Sequence, residues 1–191
     1  MLRKSLVLLS LLVFLPFCVA AEEFKAVGLV LGESAQATIE QFKGKGISLV
    51  RKEADSLVYE TPLVNIKYGG ETELEFYQNK LMRIRVYFNM PNERFQDFKK
   101  HYAAFKGALE RKYGRPISRR ELIPRSFNGN LSASMLEGEI GYGSIFQSGD
   151  VEIRFMLKNK DRRTYRYFLQ YEDVVMKKNK LEESEVNLDV L

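Results

Sequence analysis

Apolar and polar residues alternate with a period of two through the segment TELEFYQNKLMRIRVYF, residues 72–88. Four apolar side chains of its second half fall on one face: Met82, Ile84, Val86 and Phe88. Charged residues and tyrosine occupy the other face, which is typical of a strand with one buried and one solvated side. The segment therefore predicts two strands joined by a tight turn at Asn79-Lys80, since asparagine tolerates a positive φ.

A period of three to four residues predicts two helices. In LGESAQATIEQFKGKG, Ser34 is a candidate cap, Ile39 and Phe42 are expected to face inward, and Gly44 or Gly46 ends the helix. A longer helix follows in NMPNERFQDFKKHYAAFKGALERKYGRP, with Asn92 as its predicted cap and a stop at Gly114 and Pro116. It carries one apolar stripe: Phe95, Phe98, Tyr102, Phe105 and Leu109.

The last third of the chain predicts three further strands. Alternate positions over 151–157 and over 165–171 are apolar or aromatic, with turns expected at Ser148-Gly149 and at 159–162. Residues 117–138 are predicted to be a long loop with a short strand at 121–123, and loops of this length often carry function.

These elements predict an α+β fold with antiparallel sheet or sheets, one short helix and one long helix. Tight turns between consecutive strands require antiparallel pairing. The predicted domain spans 21–176 and divides into two helix-plus-meander halves, 21–90 and 91–176. Residues 177–191 form a charged tail that is expected to fray or to form a loose helix.

The first 20 residues fit a secretory signal peptide. Arg3 and Lys4 precede an apolar run at 6–17, which is shorter than the roughly 20 residues of a transmembrane helix. Cleavage after Ala20 or Ala21 is expected, which would discard Cys18, the only cysteine of the chain. The alternatives are lipidation of Cys18, which the bulky Phe17 before it disfavours, and a retained membrane anchor. The predicted location is therefore secreted or periplasmic.

Charge excludes some classes of function. Loss of residues 1–20 removes Arg3 and Lys4 and no acid, so the net charge falls from +5 to +3. This excess is too small for a nucleic-acid-binding protein, which export also disfavours. Basic residues concentrate at 99–125, where Arg119, Arg120 and Arg125 form a candidate interaction patch. A solvated helix face and loop is the favoured explanation of that run, and a patch for an anionic envelope surface, either lipid headgroups or an acidic partner, is the alternative.

No catalytic or metal motif is present. His101, the single histidine, lies on the long helix, and a metal there could recruit only carboxylates. The stretch GYGSIF around Ser144 lacks the spacing of a nucleophile elbow, and GEIGYG at 138–143 does not open a helix as a phosphate-binding loop does. The sequence thus predicts no enzyme and no cofactor. A glycosylation sequon stands at 130–132.

The run GLVLGESAQATIEQFKGKG leading into ELEFYQNKLMRIRVYF resembles the BamE/SmpA-like outer-membrane assembly lipoproteins. It is also similar to the helix-plus-meander halves of β-lactamase-inhibitor-type proteins. The matching features are Leu31-Gly32 before the short helix and Lys80-Leu81 at the strand turn. The resemblance covers about 27–88, with a looser echo at 93–171. It implies a non-enzymatic, protein-binding role and carries over no functional residue, because neither the lipid-bearing cysteine nor the disulfides are matched.

Export without a catalytic constellation predicts a binding protein, acting as an assembly factor or inhibitor for an envelope protein. Aromatic and basic residues interleave on the late strands, and Arg154, Arg166 and Phe168 form the second candidate interaction surface. Strand alternation alone also produces that pattern. The competing prediction is a carrier of a lipid or small apolar ligand, because an aromatic-lined sheet against one long helix can enclose such a molecule.

Overall fold

A computed structural model describes residues 24–60, 70–89, 95–123, 141–159 and 165–188. The three helices in these ranges are α1 (Ala35–Gly44), α2 (Phe95–Tyr113) and α3 (Val174–Leu188). The ten strands are β1 (Lys25–Ala26), β2 (Leu29–Val30), β3 (Leu49–Lys52), β4 (Ser56–Glu60), β5 (Gly70–Tyr77), β6 (Lys80–Asn89), β7 (Ser118–Leu122), β8 (Gly141–Ser148), β9 (Val151–Asn159) and β10 (Tyr165–Asp173). The signal segment, Asn92, Arg125 and the sequon at 130–132 lie outside the described residues.

Eight strands form one antiparallel sheet in the order β3-β4-β5-β6-β10-β9-β8-β7, and β1 and β2 form a separate hairpin. Each half of the sheet is a four-strand meander that follows one helix, α1 or α2, and the two meanders meet where β6 pairs with β10. The predicted α+β class, with an antiparallel sheet and helix-plus-meander halves, is confirmed.

Helices α1 and α2 pack on one side of the sheet, which we call the inner face. The ring of Phe98 on α2 lies 5.8 Å from that of Tyr167, and the ring of Tyr102 lies 5.2 Å from that of Phe155. Buried residues at alternate strand positions continue this core across the sheet: Leu57, Leu74, Ile84, Val86, Phe146, Ile153 and Leu169. The period-two and period-3.6 patterns therefore meet in one aromatic-rich core.

Helix α1 begins as predicted but turns a different face to the sheet. The Ser34 side chain accepts a hydrogen bond from the Ala37 backbone N–H at 3.2 Å, the expected N-cap interaction. Phe42 is buried against the Tyr59 ring at 4.3 Å, but Ile39 is exposed and Thr38 is fully buried instead. Thr38 can be buried because its hydroxyl donates to the Ser34 carbonyl oxygen, so the inward prediction is wrong for Ile39.

Two predicted turns are displaced by one residue. The β5–β6 turn consists of Gln78 and Asn79, both at positive φ, and Lys80 already pairs with Tyr77. Gly149 and Asp150 form the β8–β9 turn, with Gly149 at positive φ. In each turn the sequence identified one residue that adopts a positive φ, Asn79 or Gly149, but not the register of the flanking strands.

Two further elements are longer than predicted. β7 spans Ser118–Leu122 and pairs with β8, so part of the predicted loop at 117–138 is an edge strand. Helix α3 begins at Val174, where the Asp173 carboxylate accepts hydrogen bonds from the backbone N–H groups of Val175 and Met176. The segment predicted to be a tail is thus a capped helix through residue 188.

Candidate binding surface on the outer face of the sheet

The side of the sheet opposite α1 and α2, here the outer face, carries the alternate strand positions that the core does not use. Register places Arg85, Gln170 and Arg154 in one row across β6, β10 and β9. The next row contains Tyr87, Phe168 and Met156. The face therefore combines charged groups with two aromatic rings on its central strands.

The β5–β6 part of the outer face is an ion-pair network. Arg85 donates to Glu73 at 2.5 Å and to the Gln170 side-chain oxygen at 3.2 Å, and the Tyr87 hydroxyl also donates to Glu73 at 3.1 Å. Arg83 lies between Glu75 and Glu172 and bonds to both. Each of these carboxylates is engaged by a cation, so the glutamates that alternate along β5 serve structure here.

Helix α3 covers one end of the outer face. Lys177 donates to Glu172 at 3.0 Å, and Lys180 donates to Glu75 at 3.1 Å and to Asp55 at 3.2 Å. Glu172 is fully buried. Burial raises its pKa, but the hydrogen bonds and charges of Lys177 and Arg83 outweigh burial and hold the pKa below its ordinary value. Glu172 is therefore ionised at neutral pH.

The opposite end of the outer face carries cations stacked on rings. The Arg166 guanidinium lies 3.8 Å from the centroid of the Tyr87 ring, and the Lys158 ammonium lies 4.2 Å from that of Phe168. The two rings are themselves 5.4 Å apart. Cations at these distances are attracted to the negative ring faces. We call Arg154, Lys158 and Arg166, together with the Phe168 and Tyr87 rings below them, the cationic cluster.

Within the cationic cluster, Lys158 differs from the two arginines. Arg154 pairs with Glu152 at 2.5 Å and Arg166 with Glu71 at 3.6 Å. Among the described residues, Lys158 forms no ion pair. Burial lowers its pKa below the ordinary value, and repulsion from neighbouring guanidinium groups lowers it further; these belong to Arg85, Arg166 and Arg154. The charge of the Glu73 carboxylate opposes this lowering but does not outweigh it. Lys158 is thus a cation without an ion pair among the described residues, in surroundings where positive charge predominates.

The structure brings together some of the predicted interaction residues and separates others. Arg154, Arg166 and Phe168 lie on the same face of two paired strands. Phe168 is only 3% exposed, because Lys158 and Arg166 lie over the aromatic pair, so it supports the surface from below. The positions of Arg119 and Arg120 alternate on β7, where Arg120 shares the row of Gly143 and Met156 on the outer face.

Arg119 occupies the other side of β7, near Tyr102 of α2. There its charge is one influence on the Tyr102 hydroxyl, whose pKa burial raises to about 12. The basic run at 99–125 is therefore divided between the two sides of the sheet and does not form one patch in the described residues. On β7, the part of this run that pairs with the sheet in the described residues, only Arg120 of the two arginines lies on the outer face.

Sequence reasoning missed Lys158 and Tyr87 as members of the surface. Tyr87 was placed on the solvated face of an alternating strand, and Lys158 was not singled out. The signal that could have found Lys158 is its spacing of four from Arg154, which places two cations on one strand face. Tyr87 could be found only with the β6–β10 register, which joins residues about 80 positions apart.

Metal-ligating side chains do not cluster in the part of the chain that the structure describes. Nowhere in the described ranges do three or more His, Cys, Asp or Glu side chains converge as a metal site would require. His101 is exposed on α2. No helix within those ranges is long and apolar enough to cross a membrane.

Comparison of the chain with protein-family models, with curated proteins and with solved structures found no match.

Proposed function

We propose that this chain is an exported, soluble, non-enzymatic protein that binds an envelope protein through the outer face of its sheet. The observation that carries the proposal is the asymmetry of the sheet. Among the helices that the structure describes, α1 and α2 pack on the inner face, whereas α3 covers one end of the outer face. An assembly factor or inhibitor needs such a surface and no reactive group.

The composition of the part of the outer face that no described helix covers supports this use. The partly exposed arginines Arg154 (35%) and Arg166 (23%) lie on the same face as the rings of Tyr87 and Phe168. Arginine and tyrosine are enriched at the centres of protein interfaces. The arginines are also held by carboxylates and rings, so little side-chain entropy is lost when a partner docks.

The carrier alternative receives less support. The space between α2 and the sheet is occupied by rings in contact, including Phe105 against Phe88 at 5.7 Å and against Phe155 at 5.6 Å. Surface clefts of about 330 Å³ and 700 Å³ lie elsewhere, beside the first turn of α1 and beside the last turn of α2. A lipid or apolar ligand enclosed between α2 and the sheet would therefore have to displace these rings.

Export to a secreted or periplasmic location rests on the first 20 residues. The proposal expects a mature chain that begins at residue 21 or 22 and has no lipid on Cys18. The intact mass of the protein recovered from its own host tests this directly, since a diacylglycerol on Cys18 or a retained segment 1–20 would change the mass.

The binding role is tested by affinity capture. The mature chain, residues 21–191, is immobilised and exposed to the envelope fraction of its host, and retained proteins are identified by mass. We expect one stoichiometric protein that is lost with the Arg154→Ala, Arg166→Ala double variant. Phe168 is left unchanged, because removing a ring that is 3% exposed would test folding and not binding.

The control is the Arg111→Ala variant, because Arg111 is an exposed arginine of α2, on the opposite side of the sheet from the outer face. It should retain the partner. Failure of the wild-type chain to retain any protein, together with a co-purifying lipid or small molecule, would replace the binding role with the carrier.

A further inference from the structure

We propose that the cationic cluster binds carboxylate side chains of an acidic segment in the protein partner, an inference that rests on the proposed function. The ligand chemistry follows from charge. Lys158 forms no ion pair among the described residues, and Arg120 on the same face is exposed on the edge strand β7. An incoming carboxylate would supply the anion that the sheet itself does not provide.

The strand register places these cations where they repel each other, so their arrangement does not favour folding. Lys158 on β9 lies directly opposite Arg166 on β10, and Arg154 lies four residues away on the same face of β9. Like charges directly opposite each other in an antiparallel pair destabilise the pair, because their Cβ atoms are only about 5 Å apart. Such local conflicts between sequence and fold are typical of functional sites.

Stacking of the cations on rings favours a protein ligand over a membrane. Lys158 and Arg166 lie over Phe168 and Tyr87, with Lys158 exposed and Arg166 half-buried. Met156 of β9 lies beside Gly143 of β8, close to the position that a Cβ of this glycine would take. The rings hold the two cations close to the sheet, which suits an acidic segment that docks along the strands. Recognition of anionic lipid usually relies on flexible basic side chains that reach the headgroups.

The test compares defined probes with the mature chain at about 0.15 M salt. The acidic probe is poly-L-glutamate, with poly-L-glutamine as the uncharged probe and phosphatidylglycerol vesicles as the membrane probe. Variants Lys158→Glu and Lys112→Glu are compared. Lys112 is a matched control because its ammonium also lies over a ring, 5.0 Å from the Tyr113 centroid, on α2.

We expect poly-L-glutamate to bind, poly-L-glutamine not to bind, and Lys158→Glu to weaken binding about tenfold or more. Lys112→Glu should bind like the wild type. The free Lys158→Glu protein should have a Tm about 1–3 °C higher than wild type, because the new carboxylate would face Arg166 and Arg154. Loss of binding with a gain in stability is a result that a structural role for Lys158 would not give.

Equal weakening by Lys112→Glu would overturn the inference, since it would show attraction to net charge alone. Binding to the anionic vesicles without binding to poly-L-glutamate would overturn it in favour of a membrane surface. Affinity capture distinguishes failure of this inference from failure of the proposed function. An envelope protein that wild type and Lys158→Glu retain equally would leave the binding role intact and would overturn the acidic-segment inference.

Discussion

Two glycines of the first half differ in what an added Cβ would contact. At Gly70, at the start of β5, a Cβ would overlap the backbone oxygen of Tyr87 on the paired strand β6. At Gly44, the last residue of α1, nothing lies within 4 Å. The first glycine is therefore required for close approach of two strands, and the second is not.

We expect Gly70→Ala to destabilise the protein by about 2 kcal/mol or more, because β5 must shift away from β6. Gly44→Ala, the matched control, should be neutral or stabilising by up to about 1 kcal/mol, since alanine reduces the entropy of the unfolded chain. Urea denaturation of both variants measures the difference. Equal free energies of unfolding for the two would show that the β5–β6 approach is not limiting.

Glu172 makes stability depend on pH. Its folded-state pKa lies below the ordinary value of 4.5. Its contribution to stability is therefore fully present above pH 4.5 and is lost as the pH falls through the lower folded-state pKa. We expect Glu172→Gln to lower the free energy of unfolding by about 2 kcal/mol at pH 7. Arg83 would lose its charged hydrogen bond to residue 172 and would keep the one to Glu75.

The loss caused by Glu172→Gln should shrink when unfolding is measured below pH 4.5, where the wild-type carboxyl group also becomes protonated. Guanidinium chloride titrations at pH 7 and at about pH 3 provide the comparison. A deficit of the same size at both pH values would mean that the glutamine is disfavoured by its packing and not by its missing charge.

At the scale of elements, two lysines of α3 bond to the sheet, and Glu183 of α3 accepts a hydrogen bond from Gln78 at the β5–β6 turn. Lys177 and Lys180 contact carboxylates of the outer face, whereas Lys178 points to solvent and pairs only with Glu182 at 3.6 Å within the helix. We expect the Lys177→Ala, Lys180→Ala double variant to lose amide hydrogen-exchange protection in α3. The rest of the sheet should keep its protection except around Glu172.

Lys178→Ala is the control for this experiment, because an exposed i,i+4 pair contributes only about 0.3–0.5 kcal/mol. It should leave exchange in α3 almost unchanged. Similar exchange in the control and the double variant would indicate that α3 is held by its apolar contacts and not by the ion pairs.

The sequence predicts local elements well where side-chain period and burial agree. The alternation at 82–88 identified β6 because the sheet has one buried and one solvated face, and Phe98 and Tyr102 identified α2. The prediction was wrong at Ile39, because the angle at which α1 meets the sheet decides whether Thr38 or Ile39 is buried. Helix α3 looked like a solvated tail, because its docking groups are charged and their partners lie on distant strands.

The candidate surface was predicted only in part for a similar reason. Arg154, Arg166 and Phe168 could be selected from alternation within β9 and β10. The contacts of Lys158 with Phe168 and of Arg166 with Tyr87 depend on registers between strands. Register is set by turn geometry and by long-range packing, and neither is visible in a period along the chain.

At the scale of the molecule, the two meanders are joined by the β6–β10 pair. Seven residue pairs connect these strands, although the strands belong to different halves of the sequence. The α2 helix also crosses this boundary, since its Phe105 ring contacts Phe88 of β6 and Phe155 of β9. Neither half therefore closes its own core.

We accordingly expect residues 21–90 and 91–191, produced separately, to fail to fold. Each would expose a long central strand as a sheet edge together with the apolar side chains of Ile84 or Tyr171, a combination that promotes aggregation. The intact mature chain should unfold in one transition, with far-ultraviolet circular dichroism and tyrosine fluorescence changing together in urea. Co-production of the two halves is the control, because pairing of β6 with β10 should restore a soluble complex. A cooperative unfolding transition in either isolated half would show instead that the sheet consists of two independent domains, and the outer face would then be a junction between them.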